Sequence, residues 1–447
     1  MLSERISRMP HQRIPKELES ALGVLGDFIR QLNISTEQVE PTFPYIMFSD
    51  EFLGGLAMNG EDARNYRRVL SKIIEITTAT EVMSKKWVEK QVQHAILASL
   101  DLVNLQKNVA LDSRIEDSLL ELANSLKQEP QDFQVYFPVG GIALDGLPFQ
   151  FGSVMFKALN ENEIEELVAR STLPGVSDLE KNNAHRFITD TLDDNETRKR
   201  ALAIVKVSSV DNEAARTLAL QEIRLAVDGL SFFSDIVPYA GNSPYIFGER
   251  GFTSVTLFDY KVAEPSSLAF SIHSVGPQIP LKLRTLESYN IQSPIGFDKV
   301  SDILQQLPNR RTKLQKGFLA SIQWAGRATA EPRQEEAFLL YMIALESLVL
   351  MDRDRAELNY RLSLRVAHLL GIDTSSRIKI SKDLRELYGI RSRIVHNGDY
   401  QISAANLALI RAITKNCIIA LLTSEPFCSM ENEGQITAWF DEQILSS

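Results

Sequence analysis

The segment Tyr388-Gly389-Ile390-Arg391-Ser392-Arg393-Ile394-Val395-His396-Asn397-Gly398 holds a guanidinium and an imidazole separated by four residues. An imidazole can take a proton from a ribose 2′-hydroxyl or give one to a leaving 5′-oxygen. A guanidinium can hold a phosphodiester with two parallel hydrogen bonds and stabilise the extra charge of its transition state. Arg391 and His396 together suffice in principle for cleaving RNA without a metal. The products would be a 2′,3′-cyclic phosphate and a 5′-hydroxyl. A histidine at this place also has a plain structural role, because the last turn of a helix favours a cation near its free carbonyls.

The spacing predicts a helix over about 377–397 that stops at Gly398. Five positions along such a helix turn through about 500°, so Arg391 and His396 start roughly 140° apart. Arg393, three before the histidine, lies closer to its face and competes with Arg391 on geometry alone. A second subunit could supply the other half of a site. Three neighbouring segments must position this helix. Residues 337–351 are apolar nearly all round and predict a central, buried helix, with Pro332 suited to its first turn. A helix from about Arg355 ends where Gly371 suits the position after its last turn. Another begins near Ser403. Short connections make the neighbours antiparallel, a compact bundle.

Upstream, the texture differs. Residues to about Glu129 read as helical, with helical spacing over 61–80 and 85–108. Gly23 and Gly26 suit helix packing. Residues 133–139 and 148–156 are aromatic and β-branched with Asp145-Gly146 between them, which predicts a hairpin. Ala201–Val207 predicts a strand, Asp211 the N-cap of a helix to about Phe233, and 253–262 and 267–275 two more strands. The expected class is therefore an α+β multidomain protein. It has a helical N-terminal region (1–130), a mixed α+β middle domain (131–297) with a sensing or regulatory role, and an all-α bundle (298–447).

The chain has 447 residues, 44% hydrophobic and 24% charged, a folded rather than disordered composition. Its net charge is −10, yet residues 310–396 hold sixteen Lys and Arg against ten Asp and Glu, leaving −16 for the rest. RNA would be bound at that segment and little elsewhere. Two cysteines, Cys417 and Cys428, are too few for a disulfide framework or a zinc site and suit a reducing compartment. The first residues carry charges and no apolar core, so no signal peptide is expected. The apolar run 337–351 is interrupted by Glu346 and too short to span a bilayer. The expected location is cytoplasmic, away from membranes. His11, His94, His185 and His273 show no ligand spacing, so no metal site and no cofactor are assigned. Gly140-Gly141 lacks the Lys-Ser/Thr of a phosphate loop.

Several residues around the pair have two readings. Glu346, in an apolar helix, needs a partner; it pairs with Arg365 or Arg391 to orient a site, or forms a structural ion pair. Arg361 and Arg365, four apart on one helix, form a solvated face or touch RNA. His368 reads as a hydrogen-bonded core histidine.

The string Tyr-x-x-Arg-Ser-x-Ile-Val-His-x-Gly resembles the Arg-x4–6-His signature of the HEPN superfamily, in particular its ApeA-like branch of anti-phage defence. Phe338–Leu348, ending Ala-Leu-Glu-Ser-Leu, and Tyr360–Leu370 are similar to the family's preceding helices. The resemblance covers about 320–425. It implies a helical bundle, a homodimer that brings two Arg–His pairs to one cleft, and metal-independent endoribonuclease activity on tRNA or another structured RNA, with a phage-derived trigger. It selects Arg391 over Arg393 as the catalytic arginine beside His396. Glu346, Arg365, Arg393, Asn397 and Tyr388 would support the pair, and Arg361 and Arg393 would touch RNA. The alternative is an inactive bundle that binds RNA or a nucleotide, or only dimerises. In relatives silenced by a nucleotidyltransferase a tyrosine follows the histidine by two residues; here Gly398 stands there and Tyr400 comes later, so that regulation is not expected.

Overall fold

The computed structural model describes residues 15–32, 45–50, 54–78, 82–100, 111–158, 160, 162–163, 165, 193–194, 198–199, 201–246, 279–350, 358–397 and 402–446. It is mostly helical, with an antiparallel sheet, a general α+β architecture. The chain divides into two compact units, residues 1–135 with 206–219, and residues 136–205 with 220–447.

The first unit holds α1 (Lys16–Gln31), a hairpin of β1 (Tyr45–Asp50) and β2 (Gly54–Asn59), α2 (Gly60–Thr77), α3 (Lys85–Leu100) and α4 (Leu111–Ser125). The helices bury one apolar stripe each, with Leu22, Leu25, Ile73, Val92, Ile96 and Leu119 at the centre. The hairpin corrects the all-helical expectation for this region. Its Tyr-Ile-Met-Phe run has strand chemistry, and Tyr45 pairs with Asn59 in antiparallel register. Gly26 is a packing glycine, since a Cβ there would lie 3.0 Å from Leu119; Gly23 has open space around it.

The second part of the chain begins with β3 (Gln131–Gly140), β4 (Ile142–Ala143), β5 (Phe149–Phe151) and β6 (Val154–Lys157). The short β7 (Asp193–Asp194) and β8 (Arg198–Lys199) pair with each other, and β9 (Ala201–Ser209) leads into α5 (Asn212–Ser234). The Asp211 carboxylate accepts from the backbone N–H groups of Glu213 and Ala214, as an N-cap should. After β10 (Tyr245–Ile246) and β11 (Leu281–Lys282), the sheet order is β10-β3-β9-β6-β5. The expected hairpin of 133–139 with 148–156 is not formed. Residues 149–156 instead fold back on themselves through Gly152 and Ser153, and β3 lies between β10 and β9. Gly152 has φ +61° and sits on Leu304, so the turn is fixed by a glycine that a local pattern of aromatics conceals. Gly140 leaves room for the ring of Tyr245. The expected strands 253–262 and 267–275 lie outside the described residues.

Helices then dominate. They are α6 (Leu283–Gln292), α7 (Phe297–Gln305), α8 (Lys313–Ala330), α9 (Gln334–Val349), α10 (Leu358–Leu370), α11 (Thr374–Asn397), α12 (Ala404–Thr423) and α13 (Glu433–Leu445). Thr312 and Gln315 form a capping box on α8; Ser403 caps α12; Asp373 and Ser376 cap α11 reciprocally. α11 thus starts three residues before the expected Arg377. Pro332 precedes the N-cap Arg333 rather than entering the first turn of α9. Gly371 does end α10, but for close approach: a Cβ would come within 2.6 Å of the Ala367 carbonyl and of Arg377.

α9 is buried on several sides, with Phe338, Tyr341, Met342, Leu345 and Leu348 at 2% exposure or less. It packs against α8, α10, α11 and α12. α12 is the one described helix long and apolar enough to cross a membrane, and the apolar run at 337–351 drew attention away from it. Here Ile410, Ile418 and Leu421 are buried, and Arg411 and Lys415 pair with Asp235.

Two polar ties hold α5 in this unit. Arg311 is buried and forms a two-pronged pair with Glu222 of α5, while also donating to the Ile303 and Leu304 carbonyls at the end of α7. Arg327 pairs with the buried Asp228 beside Gly326, where any Cβ would strike the Asp228 carbonyl. Removing one partner of a buried pair strands the other charge. Arg311→Met should therefore cost about 3–5 kcal/mol, and Arg311→Met with Glu222→Leu should recover most of it. Urea unfolding of the two variants beside the parent checks this.

Candidate functional site

α11 owes its length to the Asp373–Ser376 cap and to one apolar edge, Leu384, Leu387 and Ile390, which is buried. That edge sets the helix's rotation, because it must face the bundle. Arg391 follows it inward. Its Nε lies 3.5 Å from Glu346 Oε1 of α9, an ion pair just short of a hydrogen bond. The guanidinium also lies 5.6 Å from the centre of the Tyr388 ring. Tyr388 and Glu346 therefore flank the Arg391 guanidinium. Glu346 Oε1 is buried and accepts no hydrogen bond. Burial raises the Glu346 pKa above the ordinary carboxylic range, and Arg391 opposes only part of that rise.

His396 takes a different direction. It is exposed, in the last turn of α11, and no hydrogen bond or ion pair holds it among the described residues. On a helix of 100° per residue it stands about 140° from Arg391, and no polar contact joins the two. The structure thus places both at one helix end without assembling them into a pair. Arg393 is exposed, and its guanidinium lies back over Gly389, 3.8 Å from where a Cβ would be. Asn397 is the last residue of α11.

Arg365 does not join this group. It is 3% exposed, donates to the Val349 carbonyl at the end of α9, lies 5.4 Å from the Phe440 ring centre and sits 3.8 Å from Asp441. The expectation that it supports the Arg–His pair or a solvated face is corrected. Sequence spacing could not foresee α13, whose Phe440 and Asp441 enclose it. Arg361, four residues earlier, is half-buried. His368 is not a hydrogen-bonded core histidine either: its Nδ1 is buried with no partner, and burial together with Arg377 lowers its pKa. It lines a cleft between α10 and α11 of about 550 Å³. No sequence motif marks this cleft. The only sequence signal was the density of cations on α11 without matching acids.

The chemistry available here is an exposed imidazole beside a cationic surface, and a guanidinium held in reserve by a carboxylate. Because the folded-state pKa of Glu346 is raised, its contribution to stability is fully present below the unfolded pKa and is lost as pH rises through the folded one. Glu346→Gln should flatten that loss, and Arg391→Ala should deepen it by removing the compensating charge. Thermal unfolding across the acidic to neutral range measures both. The chain matches no protein-family model, no curated protein and no solved structure.

Proposed function

We propose that the protein is a HEPN-type, metal-independent endoribonuclease whose catalytic residues are Arg391 and His396. The observation that carries this reading is the exposed imidazole of His396, without a polar partner among the described residues, at the end of the most cationic described helix of an acidic chain. His396 takes the proton of a ribose 2′-hydroxyl. The 2′-oxygen then bonds to the adjacent phosphorus, the bond from phosphorus to the 5′-oxygen breaks, and the imidazolium returns its proton to that leaving oxygen. Arg391 stabilises the charge gathered on the phosphoryl oxygens. Since Arg391 and His396 of one chain stand about 140° apart on α11, the working site combines His396 of one copy with Arg391 of a second. A homodimer, a cytoplasmic location, tRNA or another structured RNA as substrate, and a phage-derived trigger belong to the same proposal. The three regions expected from sequence texture complete it, with 131–297 restraining or sensing.

The separation of Arg391 from His396 favours one second reading, a bundle that binds RNA without cutting it. One assay decides between them. Purified full-length protein is incubated with total tRNA in EDTA, beside His396→Ala and Arg391→Ala. The nuclease reading expects cyclic-phosphate ends from the parent and losses of about 10²–10⁴-fold for His396→Ala. Equal cleavage by all three removes these residues from the mechanism, and binding with no cyclic-phosphate product supports the second reading.

A further inference from the structure

His396 does not stand alone on its face of α11. Eleven residues make about three turns plus 20°, so Arg385 falls almost beneath His396, and Lys382 almost beneath Arg393. Lys382, Arg385, Arg393 and His396 therefore share one exposed stripe, roughly 21 Å long from Lys382 to His396. Residues 358–397 hold eight Lys and Arg against three Asp and Glu, in a chain of net charge −10. At its far end the stripe opens into the α10–α11 cleft. The cleft volume, about 550 Å³, lies within the usual range for ligand pockets.

The walls of the cleft differ in chemistry. Leu364 and Ile378 are apolar, and Ile378 is 65% exposed. His368, its pKa lowered by burial and by Arg377, has an unpartnered Nδ1, and Ser381 lies nearby. Lys382 and Arg385 stand at the rim, Arg385 stacked 5.2 Å from the Tyr360 ring centre and donating to Ser363. Arg377 is engaged by the Gly371 carbonyl. An apolar slot with hydrogen-bonding groups and a cationic rim fits an unstacked base with its phosphate.

We propose that the α10–α11 cleft is a nucleotide subsite for single-stranded RNA, with Lys382 and Arg385 on the phosphate and the base held between Leu364, Ile378 and His368. It rests on the ribonuclease reading for the identity of the strand, and it places that strand along the stripe toward His396. A length of 21 Å corresponds to about six stacked nucleotides, fewer if the strand is drawn out. A twelve-mer covers both ends, whereas a stacked four-mer seated in the cleft stops short of His396. Glu386, on the same rim, opposes a phosphate and makes the site weaker than its cations alone would.

The test is fluorescence anisotropy with labelled single-stranded RNA of twelve and of four nucleotides, in EDTA, on full-length His396→Ala protein so that nothing is cut. Lys382→Ala with Arg385→Ala should weaken the twelve-mer at least tenfold and lower the salt dependence by about one to two ions. Glu386→Gln should tighten it. Leu364→Trp fills the slot without altering a charge and should weaken the twelve-mer with its salt dependence preserved. The subsite is overturned if the double variant leaves twelve-mer affinity unaltered, or if Leu364→Trp does. The two proposals fail separately. Twelve-mer binding that needs Lys382 and Arg385, with no cleavage by the parent protein, removes the nuclease and keeps the subsite. Cleavage by the parent with binding indifferent to those residues does the reverse.

Discussion

α9 has almost no polar face, and the bundle around it follows from that. A helix apolar on several sides cannot lie on a surface, so α8, α10, α11 and α12 must cover it. Each large side chain it buries contributes about 1.5–3 kcal/mol. Its one carboxylate beyond the first turn, Glu346, is carried into the interface with α11 by the same packing, and the Val349 carbonyl at its end is left to Arg365. Val349 receives that guanidinium, which α13 closes over with Phe440 and Asp441.

The polar chemistry of the second unit is arranged by what this burial permits. Buried carboxylates such as Glu222 and Asp235 are held by cations, Glu222 by Arg311 and Asp235 by Arg411 and Lys415. The partly buried Glu346 is held less well. Its Oε1 accepts no hydrogen bond, and its only cation is 3.5 Å away. A group so poorly compensated is where function is expected to draw on stability. That sets Arg391 apart from the structural arginines, because its partner gains little by holding it.

α11 divides its cations between two environments. Arg391 is drawn under the bundle edge with Leu387 and Ile390, while Lys382, Arg385 and Arg393 remain in water with His396. In an acidic chain, such a stripe concentrates what positive potential there is along one line. The cleft at its end is lined by residues of α10 and α11 close to Gly371, where a Cβ would strike Arg377.

Much was legible in the sequence where the cause is local. The apolar run of α9, the Asp211 cap, the start of α12 near Ser403 and the end of α10 at Gly371 each depend on neighbours a few residues away, and each is legible in the sequence. The types and spacing of Arg391 and His396, and the basic balance of their segment, are likewise properties of the chain alone. Pairings between distant segments were not legible. Gly152 turns 149–156 back on itself and leaves β3 to other strands, and Arg365 is buried by residues some seventy-five positions later. The same limit applies at the site. Helix geometry put about 140° between Arg391 and His396 but could not say which faced inward. The buried edge Leu384, Leu387 and Ile390 decided it, because rotation about a helix axis is set by the surface it must hide.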